Sequence, residues 1–243
     1  MKLSPVSYKG QIIGFELKSH HSHFFFGTRH ADLSLLAQFY PQYQFSYLKQ
    51  VHKTRVLNAD EPFQGEIEAD GQYCTETHIA LCVQTADCLP VLISNGSTAL
   101  ALHAGWRGVA QNIVQKGFQS VAHLKVPDIP KWLAVIGPHI QKEHFEVDTN
   151  VADVLRKAFL LQTQTGSHQA QSSEPPISSG AWPNKAHVDL KAITRLQLQN
   201  QGVTQSSIVA SQLNTHSSKL FHSYRRDQLT GNRQYSFVAL LSS

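Results

Sequence analysis

One stretch constrains the fold more than any other: T-A-D-C-L-P-V-L-I-S-N-G-S-T-A-L-A-L-H-A-G-W-R-G, residues 85–108. Two apolar runs, 89–93 and 99–102, flank Asn95-Gly96, the strongest short-range hairpin signal. With Asn95-Gly96 as a two-residue loop, Ser94 faces Ser97 and Cys88 falls opposite His103. Opposed residues share a face, with Cβ atoms ~5 Å apart, so a thiol and an imidazole are placed to share one metal ion. The small-residue run after His103 opens a predicted helix at Val109. A soft ligand, a borderline ligand, Arg107 and a helix start thus converge on one spot.

The flanking sequence reads as strands with a few helices. Strands are predicted over 11–17 and 23–26 as a hairpin, over 45–51, 79–84, 131–136, 207–211 and 235–241. Helices are predicted over 33–39, 109–124, 149–161 (capped by Asp148) and from the Asp189 cap to Gly202, on apolar spacing and cap residues. The run 66–71 reads as an acidic turn. The helix between strands 99–102 and 131–136 suggests a right-handed crossover. Residues 162–185, rich in Gln, Ser and Pro, read as a disordered or surface insertion. With 41% hydrophobic and 16% charged residues in 243, the chain can bury a sizeable core, and the pattern predicts one α/β domain rather than a bundle.

Charge and cysteine usage narrow the function classes. A net charge of +4 without a basic run argues against a nucleic-acid partner. No apolar run approaches membrane-spanning length. Three cysteines without C-x-x-C, and no apolar signal region in the first 25 residues, predict a reduced, cytoplasmic protein. Cys74 and Cys82 read as structural.

Cys88 and His103 need a third ligand, and His52, at a strand end in Q-V-H, is the best offer. Cys and His suit Zn²⁺, and three protein ligands leave an open fourth position, as in catalytic sites. The rival reading is a Cys-His hydrolase in which His103 activates Cys88 as a nucleophile, without metal. Asp87 should face away from Cys88 along the strand. His20, His21, His23 and His30 read as surface or turn residues, while His139 and His144, which follow Gly137-Pro138, are candidates for a supporting role behind the ligands. Arg29, Arg107, Arg225, Arg226 and Arg233 all border turns or strand ends. One or two of them are expected to bind an anionic ligand; Arg226 beside Asp227 has a ready carboxylate partner.

These residues also carry a resemblance. Q-V-H (50–52), A-D-G (69–71), T-A-D-C-L-P (85–90), H-A-G-W-R-G (103–108), I-G-P (136–138), F-E-V (145–147), H-V-D-L (187–190) and S-Y-R-R-D with T-G (223–231) resemble the laccase-domain family. That family was first described as multicopper polyphenol oxidoreductases and is now treated as purine nucleoside phosphorylases. The resemblance implies a single domain over 1–243, with layered mixed β-sheets flanked by helices in an αββα-type sandwich. It implies zinc held by His52, Cys88 and His103. It also implies phosphorolysis of adenosine, inosine, guanosine and methylthioadenosine, with adenosine deamination at the same site.

On that reading the partners are a small nucleoside and phosphate, met by Arg29, Gln50, Arg107 and Arg225, and Asp70 is the carboxylate that would move protons. Some bacterial relatives are described instead as peptidoglycan editing factors acting on a muropeptide precursor. Copper, which the laccase name suggests, wants a weak axial ligand, and the only methionine is Met1. The chain departs from the family pattern in a shortened segment between Arg29 and Phe45. It departs again at Asn214-Thr215, where relatives often have Cys-Thr, and at Thr230-Gly231-Asn232-Arg233, an offset form of T-G-R.

Overall fold

The computed structural model describes residues 2–124, 132–165, 176–228 and 231–242. A seven-stranded sheet runs in the order β1 (Ser4–Tyr8), β2 (Gln11–Lys18), β3 (Ser22–Gly27), β16 (Gln234–Leu240), β8 (Ile79–Thr85), β4 (Gln44–Lys49), β6 (Gln64–Glu68). A six-stranded sheet runs β15 (Ile208–Ala210), β11 (Leu133–Ile136), β9 (Leu89–Ser94), β10 (Ala99–Ala104), β7 (Gly71–Cys74), β5 (Val56–Asn58). A small third sheet joins β12 (Glu146–Asp148), β14 (Lys185–Val188) and β13 (Ile177–Ser179).

The two large sheets pack face to face over Phe24, Phe26, Leu81, Val83 and Val238 from one and Leu92, Ala99, Ala101 and Val135 from the other. Helix α1 (Leu33–Phe39) covers the outer face of the first sheet, over Phe25, Tyr40, Tyr43 and Phe237. Helices α2 (Trp106–Ala110), α3 (Ile113–Val121), α4 (Thr149–Thr165) and α5 (Leu190–Asn200) cover the second, over Val91, Ile93, Leu100 and Leu102. The result is a four-layer α/β/β/α sandwich in one domain. Every residue of β3, β9 and β10 is buried, since each strand has a packed layer on both sides; such strands read as unbroken apolar runs. Burying one Phe of the 24–26 run contributes roughly 2–3 kcal/mol.

Several expectations are corrected. Ser94 pairs with Ala99, not Ser97, and His103 with Pro90, so Cys88 falls opposite Gly105, one step past the last pair. The loop has four residues because the Asn95 side chain accepts from the Ser97 and Thr98 N–H groups at 3.0 and 2.7 Å, which makes it a turn head. A two-residue slip preserves the strand's alternation, so Cys88 and His103 still face the same side, toward the first sheet.

The run 66–71 is not all turn: Glu66–Glu68 completes edge strand β6, parallel to β4. The predicted 109–124 helix begins earlier, at Trp106, and breaks at Asn112, whose left-handed φ of 57° lets its side chain cap α3. His23 is buried rather than superficial. Within the 162–185 segment the α4 helix runs on to Thr165 and β13 lies at Ile177–Ser179. Residues 166–175, Lys131 and Thr230 lie outside the described residues. Strands β10 and β11 both run antiparallel to β9, so they are parallel to each other across it, the arrangement a crossover connection produces.

Candidate metal centre and its cavity

The seam between the two large sheets opens at the end where three connections cross it. His52 follows β4 of the first sheet. Cys88 sits where the chain leaves β8 for β9 of the second sheet, and His103 is the penultimate residue of β10. Their ligand atoms lie within 4.8 Å of one another. The His52 and His103 rings meet edge to face, with centroids 4.8 Å apart.

Asp70, at the start of β7, builds this cluster. Its buried carboxylate accepts from the backbone N–H groups of Val51, His52 and Lys53 at 3.2, 2.8 and 2.7 Å, and from Nδ1 of His103 at 2.8 Å. Three N–H donors from consecutive residues force a tight turn, and His52 adopts a φ of 59° within it. The bond to His103 fixes that ring's tautomer and turns its other nitrogen to the cluster. Burial opposes the charge on Asp70, but His103 and the backbone donors outweigh it and hold the carboxyl below its ordinary range.

Burial also works against a thiolate at Cys88, yet His103 and then His52 more than offset it and lower the thiol. His103 shifts the other way: burial favours its neutral form, while Cys88 and Asp70 hold the proton on the ring. Sulfur is thus poised in the form that binds metal. Gly105 completes the fit: a Cβ there would lie 3.1 Å from both Cys88 Sγ and His52 Cδ2. Two imidazoles and one thiolate, with room kept open between them, suit a zinc ion with one free position. The other two cysteines are buried, with thiols raised by burial, Cys74 to about 12.

The free side of the cluster faces a cavity of about 760 Å³, within the ordinary range for small-molecule sites. Its walls carry Trp106, Phe145, Tyr47, Tyr224 and Tyr235 together with Arg107, Arg225 and Arg233. Among the described residues the guanidinium groups of these three arginines have no carboxylate partner. The Arg107 guanidinium stacks on Trp106 at 4.4 Å, Arg225 donates to the Glu146 carbonyl at 2.7 Å, and Arg233 to that of Asn232.

The remaining expected site residues sort differently. Gln50 lines the cavity, but its amide is spent on the backbone N–H and C=O of Gln84, both at 2.7 Å, which ties the end of β4 to β8. Arg29 is not among the lining residues; it binds the carbonyls of Lys219 and Leu220. Arg226 is locked by Asp227 and the carbonyls of Thr215, His216, Ser218 and Phe221. Asp87 lies with Cys88 in the bend between β8 and β9, outside either strand, and its carboxylate accepts from Thr215, Ser223 and the Arg225 backbone N–H. His139 is buried and pushed down to about 4 by that burial, its Nδ1 bonded to the Gly137 carbonyl.

Sequence reasoning missed the aromatic wall and the cradle at Gly105. The small-residue run after His103 was the available signal for Gly105. The aromatics come from five separate segments, and nothing local marks them.

A family model described as multi-copper polyphenol oxidoreductase laccase matches residues 29–241. The purine nucleoside phosphorylase YfiH of Escherichia coli is 35% identical over 200 residues, covering 80% of this chain and 73% of that protein. A purine nucleoside phosphorylase of Xylella fastidiosa is 33% identical over 194 residues, covering 76% and 68%. The crystal structure of Neisseria meningitidis protein NMB0706 shares 27% identity at a TM-score of 0.77, covering 95% of this chain and 100% of that one. YlmD from Geobacillus stearothermophilus, at 23% identity and a TM-score of 0.78, shares the fold over 98% of this chain and 100% of that one. No described helix is long and apolar enough to cross a membrane.

Proposed function

The chain belongs to the multi-copper polyphenol oxidoreductase laccase family, and on that premise we propose that it is a zinc-dependent purine nucleoside phosphorylase, with adenosine deamination as a lesser reaction of the same site. One observation carries the reading: the His52–Cys88–His103 cluster opens into a cavity whose walls pair aromatic rings with three arginines whose guanidinium groups have no carboxylate partner among the described residues. Flat aromatic faces suit a purine base, and guanidinium forks suit phosphate. Arg107, beside the cluster, and Arg225 are the proposed phosphate ligands. A bound zinc ion supplies Lewis acidity that stabilises developing negative charge. Copper would meet the same three ligands, but the described residues include no methionine to serve as the axial ligand.

The wall chemistry favours phosphorolysis over deamination. Phosphate brings its own nucleophilic oxygen, so the protein need only hold it and the nucleoside in line. Deamination needs a group that moves protons. Asp70, the expected candidate, is buried behind the cluster with its oxygens taken by four N–H donors. Its proposed role is to position His52 and His103. Asp87 is the one carboxylate among the described lining residues, and its oxygens are likewise engaged.

The test is a product assay on metal-loaded protein with adenosine, with and without phosphate. Adenine and ribose 1-phosphate formed only with phosphate support phosphorolysis; inosine alone means a deaminase. Adenosine, inosine and methylthioadenosine all left untouched in millimolar phosphate would overturn the reading. Metal-independent cleavage of an amino-acyl muropeptide precursor, lost on alkylation of Cys88, would instead establish the thiol hydrolase.

A further inference from the structure

Asp87 joins two parts of the site that are far apart in sequence. Its backbone leads directly into Cys88, with φ at +87°, a conformation that residues bearing a Cβ adopt only when their surroundings impose it. Its carboxylate accepts from Thr215 Oγ1 at 2.6 Å, Ser223 Oγ at 3.0 Å and the Arg225 N–H at 2.7 Å. Its carbonyl accepts from the N–H of Ile140 at 3.0 Å. The segment that carries Tyr224 and Arg225 into the cavity is α6 (Tyr224–Asp227), a single turn. A helix that short does not hold itself, so contacts outside it must set its position. Arg225 is fixed at two points: its backbone by Asp87, and its guanidinium by the Glu146 carbonyl and the ring of Phe145.

We propose that Asp87 is a positioning residue that ties the metal ligand Cys88 to the Tyr224–Arg225 wall and so sets the spacing between the metal and the phosphate-binding guanidinium. The kinetic half of this inference rests on the phosphorylase reading; the structural half does not. Asp70 does for His52 and His103 what Asp87 does for Cys88 and Arg225. In each case one buried carboxylate gathers donors from separate segments, and a ligand-bearing turn is held left-handed as a result.

The test uses full-length, zinc-loaded protein. Asp87→Asn retains tolerance of the left-handed backbone but sets an amide group among donors, so at least one of the three bonds is lost. It should keep one zinc per chain, speed hydrogen exchange at the Arg225 amide about tenfold or more, and leave exchange at the His103 amide unchanged. In turnover it should raise KM for phosphate about tenfold with a smaller change in kcat. Asp87→Gly, which frees the backbone without restoring the carboxylate, should show the same KM rise. Thr215→Val should give a smaller change in the same direction, and Thr215→Ser should behave as the parent; this pair decides the matter if the Asp87 variants do not fold.

Unchanged exchange at Arg225 in Asp87→Asn overturns the proposal, as does a loss of stability with an unaltered KM. If the parent shows no phosphorolysis at all, the phosphorylase reading fails and the exchange measurement decides this proposal alone.

Discussion

Two buried histidines in this molecule each face a carboxylate at nearly the same distance, yet only one lines the cavity and joins a cluster that could hold a metal. His103 meets Asp70 at 2.8 Å in the seam between the sheets, and His23 meets Glu16 at 2.9 Å under α1. The difference lies in the second ring nitrogen. At His103 it is left for Cys88, beside His52 and an open cavity. At His23 it meets the Tyr43 hydroxyl, and the rings of Tyr40 and Phe237 close on the imidazole edge-on. The titration shifts diverge accordingly. His103 is raised because Cys88 and Asp70 outweigh burial, whereas His23 is lowered to about 4 by burial and then by Lys18. A buried histidine–carboxylate pair is therefore not a site by itself; an unspent nitrogen facing reactive neighbours makes it one.

Breaking the active member of the comparison should have the largest effect. Cys88→Ser or His103→Ala should abolish stoichiometric zinc binding, measured by elemental analysis, and with it nucleoside turnover. Full zinc content in Cys88→Ser would mean the cluster is not the metal centre. Asp70→Asn comes next: it keeps the shape but places an amide group among four N–H donors. Metal affinity should fall about 10- to 100-fold, read by chelator competition, and an unchanged affinity would reduce Asp70 to a fold stitch. Gly105→Ala should be milder, a several-fold loss of metal affinity with little change in melting temperature, because its Cβ presses on Cys88 and His52 while the backbone stays unstrained.

The inactive member should respond in stability alone. His23 is neutral in the fold, with a value near 4 against 6.5 for an ordinary imidazole. The unfolded chain therefore binds more protons between those values. Stability is whole above about pH 6.5 and falls as the pH drops toward 4, by about 3 kcal/mol for this group. His139, lowered to about 4 as well, adds a loss of the same sign. His23→Gln should leave turnover at neutral pH unchanged and flatten roughly half of that slope in denaturation midpoints. A slope identical to the parent would show that His23 is not held neutral.

The sequence alone determined what depends on local pattern. The buried strands at 79–84 and 89–93 declared themselves as apolar runs, and α5 by its Asp189 cap and Gly202, which takes a φ of +84°. Cys88 and His103 were drawn together by alternation, an argument that survived a wrong loop length because period-two patterning is indifferent to a slip of two. The closing strand Gln234–Leu240 was equally legible, but its insertion between β3 and β8 was not.

Only the tertiary structure decided what depends on groups remote in sequence. Glu66–Glu68 became a strand because β4 offered an edge to pair with. His23 went inside because Tyr40, Tyr43 and Phe237, with Glu16, supplied partners that its own neighbours do not show. Asp70 gathers the cluster because three backbone donors from 51–53 and the ring of His103 converge on it. A side chain's role in a low-dielectric interior is set by which donors and charges reach it. Those come from whatever the sheets bring to the same end of the seam.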